Sequence, residues 1–236
     1  MLVPMRAILD AADKNGYAQG AFNVNAVCQV KAAVDVHQIL RSPAIIQGAD
    51  LANGFMGGRT DFANSTLEDK KAGAKNIGAA VKKYAADSDI PVALHLDHGK
   101  NFDSCIAAIE GGYTSVMIDG SSLPFDENVE LTREVVKYAH ERGVTVEGEL
   151  GVLAGVEDHV FAATSTYTNP LSAIDFFKKT GVDALAISYG TMHGANKGKN
   201  AVIRKEIAIA IKECMLHEGI EGYLVSHGSS TVPQYI

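Results

Sequence analysis

The sequence predicts an α/β protein of the TIM (β/α)8-barrel class, with about seven βα units present in its 236 residues. Three observations predict it. Short, nearly continuous apolar runs recur along the chain instead of polar–apolar alternation, which marks parallel strands covered on both faces. Amphipathic helical stretches separate these runs, at a repeat of about thirty residues that suits successive βα steps. The first strand candidate carries Phe22-Asn23-Val24-Asn25 and no GxGxxG, whereas an open doubly wound sheet needs a Gly-rich phosphate turn there.

The elements follow in order. Residues 5–15 read as an extra helix ahead of the first strand, closing the bottom of the barrel. The strand candidates are residues 20–24, 44–47, 92–97, 115–119, 144–151, 184–188 and 223–228. Residues 48–66, rich in Gly and Asn, are the one poorly patterned connection and a candidate mobile loop over a site. Residues 125–142 set Val129, Leu131, Val135, Val136 and Ala139 at roughly helical spacing and stop at Gly143. Residues 170–180 follow Asn169, a good N-cap, with Pro170 in the first turn and Gly181 as the stop. Residues 201–218 stop at Gly219 in the same way. No linker or low-complexity stretch interrupts the chain, so residues 1–236 are expected to form a single barrel domain. The strand count ends at seven, with eight residues after Gly228. A complete barrel takes about 250 residues, so an eighth strand and its helix are expected outside this sequence, in a longer natural protein.

Composition narrows the function. The chain carries 21 Lys+Arg against 28 Asp+Glu, a net charge of −7, with 47% apolar residues. That is ordinary globular composition, and a net-negative surface disfavours nucleic acid and anionic membranes as partners. Cys28, Cys105 and Cys214 lie far apart with no CxxC, which indicates neither a disulfide framework nor a thiolate zinc knuckle. No apolar run reaches the roughly 18 to 20 residues that span a bilayer, and the first residues show no basic n-region followed by an apolar h-region. A cytoplasmic protein is expected.

In a barrel, catalytic groups come from the C-terminal ends of the strands. Those ends carry Asn23, Gln47, His95-Leu96-Asp97-His98, Asp119, Glu147-Gly148-Glu149, His193 and His227. Residues two apart share a face, so His95 and Asp97 point together and His98 is the first residue free of the third strand. His95 by itself reads best as a hydrogen-bonded core histidine, and Asp97 alone could be a helix cap. His98, His193 and His227, from three strand ends, can converge above one barrel mouth. Three imidazoles with an open position suit a catalytic zinc, although no local HExxH spacing announces it. His37, His140, His159 and His217 read as surface or satisfied histidines. Glu147 and Glu149 share a face, and two inward carboxylates need a cation or a shared proton. No strand candidate contains Arg or Lys to pair with them, which favours a metal or a functional role. Residues 151–158 read as a flexible loop or a solvated turn ending in Glu157 and Asp158. Residues 188–194 and 226–231 are Gly-, Ser- and Thr-rich connectors whose backbone N–H groups and hydroxyls suit an anion, with Lys197 and Lys199 nearby.

Six motifs carry a family resemblance: Gly20-Ala21-Phe22-Asn23-Val24-Asn25, His95-Leu96-Asp97-His98-Gly99, Ser115-Val116-Met117-Ile118-Asp119, Glu147-Gly148-Glu149-Leu150-Gly151, Gly190-Thr191-Met192-His193-Gly194 and His227-Gly228-Ser229-Ser230. In this order they resemble the class II, metal-dependent fructose-bisphosphate aldolases over essentially the whole chain. The resemblance implies a zinc ion on His98, His193 and His227, with Glu149 as the acid beside it, and a monovalent cation, Na+ or K+, near the phosphate loop. It implies Asp97 as the acid/base at the C4 oxygen and Glu157 as the C3 proton-transfer acid. Asn23 and Ser230 match substrate-binding positions, Gly194 and Gly228 backbone donors to phosphate, and Lys197 falls near the same loop. A phosphorylated sugar substrate, a place in glycolysis and gluconeogenesis, and a homodimer or homotetramer are implied as well. The chain departs from the family pattern in three places. Ala49 stands where many members have a phosphate-binding Ser, Asp119-Gly120-Ser121-Ser122 replaces Ala-Ser-His, and the Asn-x-Asp-Thr-Asp segment of strand eight has no counterpart.

The implied reaction is reversible cleavage of fructose 1,6-bisphosphate to dihydroxyacetone phosphate and glyceraldehyde 3-phosphate through a zinc-stabilised enediolate. Asp97 would take the C4 hydroxyl proton and Glu157 would protonate C3. A Schiff-base lysine is disfavoured, because no strand candidate ends in Lys. The competing readings are a tagatose-bisphosphate or other ketose-bisphosphate aldolase, and a non-catalytic zinc-binding barrel fragment. A metal-dependent hydrolase ranks lower, since the first strand carries no HxH.

Overall fold

The structure is a computed structural model that describes residues 1–153, 155–157, 160–162, 166–194 and 202–233, with backbone only for 155–157 and 160–162. The described chain divides into two compact units, Met1–Ile118 with Lys137–Val146, and Asp119–Val136 with Glu147–Ile236.

The first unit holds helices α1 (Met5–Asn15), α2 (Val27–Leu40), α3 (Asp50–Met56), α4 (Leu67–Ala86) and α5 (Phe102–Glu110), and strands β1 (Ala21–Asn23), β2 (Ala44–Ala49), β3 (Val92–Gly99) and β4 (Ser115–Ile118). Its strands are parallel and lie in the order β1-β2-β3-β4. Sequential order without a reversal at the first strand is the barrel's order and not that of the doubly wound rival. Every residue of β2 and β3 is buried, which is why both read as continuous apolar runs. Their register sets Gln47 beside His95 and Ala49 beside Asp97, while β1 sets Asn23 beside Gln47. Helix α1 has the bounds expected from sequence; its Met5 and Ile8 pack with Ile45 of β2 and Ala93 of β3.

Residues 48–66 differ from the expected mobile loop. They finish β2, form α3 and make a 3-10 turn at Phe62–Asn64. Glycine hides this helix in the sequence and also makes it possible. A Cβ on Gly73 of α4 would stand 1.7 Å from the backbone oxygen of Asn53, so the two helices touch where no side chain fits. Asp50, 4% exposed, anchors the start of α3 by accepting from Lys70 Nζ (2.7 Å) and Ser104 Oγ (2.8 Å). Gly73→Ala is therefore expected to lower unfolding stability by about 1–3 kcal/mol, the usual cost of overpacking. An unchanged urea midpoint would refute the close approach.

The second unit holds the three strands β5 (Thr145–Leu150, inside this unit from Glu147), β8 (Ala184–Ile187) and β9 (Tyr223–Val225), parallel and in that order. Glu147 stands beside Ala184, Glu149 beside Ala186, and Ala184 beside Tyr223. Between β5 and β8 lies an antiparallel ribbon of β6 (Gly155–Glu157) and β7 (Val160–Ala162). The sequence offers only a loop there, because three-residue strands carry no readable period. Helix α7 (Pro170–Thr180) has the expected bounds; Asn169 Oδ1 accepts from the N–H groups of Leu171 and Ser172. Helix α8 (Lys205–His217) begins later than the expected 201. Residues 202–204 instead run against the preceding loop: Arg204 N–H donates to Tyr189 O, and a Cβ on Gly190 would lie 1.9 Å from Val202 O. Helix α6 (Phe125–His140) also stops short of 142, where Val144 N–H returns to Ala139 O and Gly143 turns left-handed at φ +68°.

All three cysteines are free; burial pushes the Cys105 thiol pKa up. Among the described residues no helix is long and apolar enough to cross a membrane.

Candidate active site

In the first unit the chemistry gathers at the C-terminal end of β3. His95 Nδ1 lies 2.8 Å from Ser115 Oγ, so His95 is a hydrogen-bonded core histidine. Asp97 is 2% exposed. Its Oδ2 accepts from Asn23 Nδ2 at 2.8 Å, while its Oδ1 is buried and has no hydrogen-bond partner among the described residues. A carboxylate with one oxygen held and the other bare is oriented to accept a proton. The next residue, His98, is 2% exposed and takes a left-handed backbone, φ +48°. That conformation costs a non-glycine residue roughly 1–2 kcal/mol. It falls where the β3–β4 register breaks, between Leu96 and Gly99, so the bulge turns His98 away from the side its strand position would give it.

The second unit carries the other candidates. Glu147 and Glu149, 2% and 3% exposed, lie on one face of β5. Glu147 Oε1 is 2.9 Å from His227 Nε2, so the partner that the sequence sought among Arg and Lys is a histidine. Asn128 of α6 donates to the backbone oxygen of Glu149 at 2.8 Å and accepts from Thr132 Oγ1, steadying the end of β5. His193 and His227 bring their rings to 5.9 Å between centroids, at 66°. The two loops behind them are pinned together. Thr231 Oγ1 accepts from Met192 N–H (3.2 Å) and donates to Met192 O (3.1 Å), and Gly228, at φ +60°, leaves no room for a Cβ, which would sit 2.4 Å from Met192 O. Gly194 and Ser230 belong to these same loops, and Ser230 is exposed. Asp119 Oδ1 accepts from Ser121 N–H and Oγ.

Glu157 stands in β6, its backbone opposite Val160; its side chain lies outside the described residues, as do Lys197, Lys199 and His159. His37 is buried edge-on against Phe22, at 5.1 Å, rather than at the surface. Asn128 is not among the candidates read from sequence, and Thr231 enters there only as part of the 226–231 connector. For Asn128 a signal existed: it continues the buried stripe of α6 through Thr132, Val135 and Val136 at helical spacing, and a polar residue in such a stripe has a reason to be there.

Compared with known proteins, the chain matches the model of the class II fructose-bisphosphate aldolase family over residues 3–235. It belongs to that family. The fructose-bisphosphate aldolase of Treponema pallidum (strain Nichols) is 44% identical over 245 residues, 98% of this chain and 70% of that protein. The fructose-bisphosphate aldolase of Giardia intestinalis is 42% identical over 234 residues, 99% of this chain and 67% of that one. Among solved structures, the YdjI aldolase of Escherichia coli K12 superposes with a TM-score of 0.76 at 28% identity, covering 99% of this chain and 75% of that one. A putative fructose-1,6-bisphosphate aldolase from Coccidioides immitis gives 0.81 at 25%, covering 97% and 74%. As a class II aldolase the chain is a carbon–carbon lyase. The family is metal-dependent, and the donors available here suit a metal: the imidazoles of His98, His193 and His227 and the carboxylates of Asp119 and Glu149. Imidazole and carboxylate together are the donor set of a catalytic zinc.

Proposed function

We propose that this class II aldolase reversibly cleaves fructose 1,6-bisphosphate into dihydroxyacetone phosphate and glyceraldehyde 3-phosphate, with zinc held by His98, His193 and His227 and Glu149 beside it. The observation that carries the reading is Asp97: one carboxylate oxygen fixed by Asn23, the other bare and buried, immediately before His98. Zinc, when bound, supplies Lewis-acid stabilisation of developing negative charge worth several kcal/mol.

The chain's own residues do the rest. Asp97 Oδ1 takes the proton of the C4 hydroxyl. As the C3–C4 bond breaks, C4 becomes the aldehyde carbonyl and the electron pair stays on C3. Glu157 then delivers a proton to C3, and in condensation both transfers reverse. Burial of Asp97 keeps water from competing for that proton. The backbone N–H groups of Gly194 and Gly228, the Ser230 hydroxyl and Lys197 bind phosphate, and Asn23 contributes to substrate binding as well as to holding Asp97. A monovalent cation beside the phosphate loop belongs to the same reading. So does a cytoplasmic homodimer or homotetramer, to which the apolar residues left exposed on α2, Val36, Ile39 and Leu40, offer a surface.

The test compares cleavage of fructose 1,6-bisphosphate with that of the tagatose isomer by the zinc-loaded protein; faster cleavage of the tagatose compound would reassign the substrate. Glu157→Gln is expected to leave zinc binding intact and to slow exchange of the C3 proton of dihydroxyacetone phosphate with solvent, by about 10²–10⁴-fold. An exchange rate equal to wild type would remove Glu157 from the mechanism.

A further inference from the structure

The segments that carry His193 and His227 leave the sheet side by side. Strands β8 and β9 pair Ala184 with Tyr223, Leu185 with Leu224 and Ala186 with Val225. Past that last rung a segment is held only as well as its own contacts hold it. Side chains tie these two at two points. Tyr189 Oη lies 2.6 Å from Oγ of Ser226, the residue immediately before His227. Thr231 Oγ1 bonds both the N–H and the carbonyl of Met192, the residue immediately before His193. The two imidazole rings, 5.9 Å apart between centroids, thus each follow directly on a tied residue.

Tyr189 is built as a post. Its carbonyl accepts from Arg204 N–H at 2.7 Å, and its neighbour Gly190 passes so near Val202 that a Cβ would stand 1.9 Å from the Val202 oxygen. A phenol turns about only two side-chain torsions, so on a fixed backbone its hydroxyl can hold a partner at small entropic cost. The reaction above uses neither Tyr189 nor Ser226. A metal that takes ligands from two loops must order both, and each constraint already present is one the ion need not impose. We propose that Tyr189 and Ser226 are positioning residues for the metal: their hydroxyl pair fixes His227 relative to His193 before the ion binds. This rests on the zinc reading above.

The test measures zinc affinity, by competition against a chromophoric chelator, in wild type, Tyr189→Phe, Ser226→Ala and the double variant. The Phe variant fills the same space and removes only the hydroxyl. One neutral hydrogen bond has a modest net effect, so each single variant is expected to bind zinc about 2- to 10-fold more weakly. The double variant should be no weaker than the singles, because the second substitution removes a tie already broken. If one variant does not fold, the other carries the affinity test. Wild-type zinc affinity in either folded single variant, whether or not the urea midpoint of its metal-free form falls, would mean a merely structural bond and overturn the proposal. Losses that add in the double variant would overturn it as well. Both results leave the zinc reading standing, whereas wild-type protein that takes up no zinc would overturn both.

Discussion

Asp97→Asn is expected to stop carbon–carbon bond cleavage, with kcat reduced at least about 10²–10⁴-fold, the usual loss when a general base is removed. The size of the effect follows from the geometry. Asn23 already occupies Oδ2, so Oδ1 is the oxygen left to take a proton, and no second acceptor stands in for it in the reading above. An amide in its place has the same shape and cannot act as the base. The substrate's KM should change little, because the substitution removes an interaction made in the transition state. Because Asp97 is buried beside His98, zinc content must be measured in the same samples. An Asp97→Asn variant that retains zinc and wild-type kcat would exclude Asp97 as the base.

Metal removal carries the second large effect. A strong chelator should abolish cleavage, and zinc or cobalt should restore it, because imidazole donors accept either ion. Borohydride in the presence of substrate should leave activity intact, since none of the described strands contains a lysine to form an imine. Full activity in excess chelator would contradict the metal reading, and loss of activity on borohydride treatment would restore the Schiff-base alternative.

Much of the fold was legible because its signals are local. The apolar runs of β2 and β3 follow from burial on both faces, α1 ends at the left-handed Gly16, and α7 runs from the Asn169 cap to Gly181. Where a long-range contact decides, the sequence was silent. Helix α3 exists because Gly73, on another helix, lets α4 approach the Asn53 carbonyl. Helix α8 starts late because residues 202–204 lie against Tyr189 and Gly190.

The candidate site divides in the same way. Asp97, His98, His193 and His227 were visible because strand ends reveal their position. The left-handed turn at His98, the Asn23–Asp97 bond and the Glu147–His227 pair join residues or registers that no spacing rule connects. The sequence therefore exposed both buried glutamates as needing partners without revealing that Glu147 has a histidine as its partner.

The central claim, a zinc-dependent class II aldolase, is tested most directly by measuring bound zinc and the rate of fructose 1,6-bisphosphate cleavage in one purified sample before and after stripping and restoring the metal. Our account predicts that zinc content and cleavage rate fall and return in proportion. Cleavage that persists in metal-free protein, or zinc-saturated protein that leaves the bisphosphate intact, would contradict it.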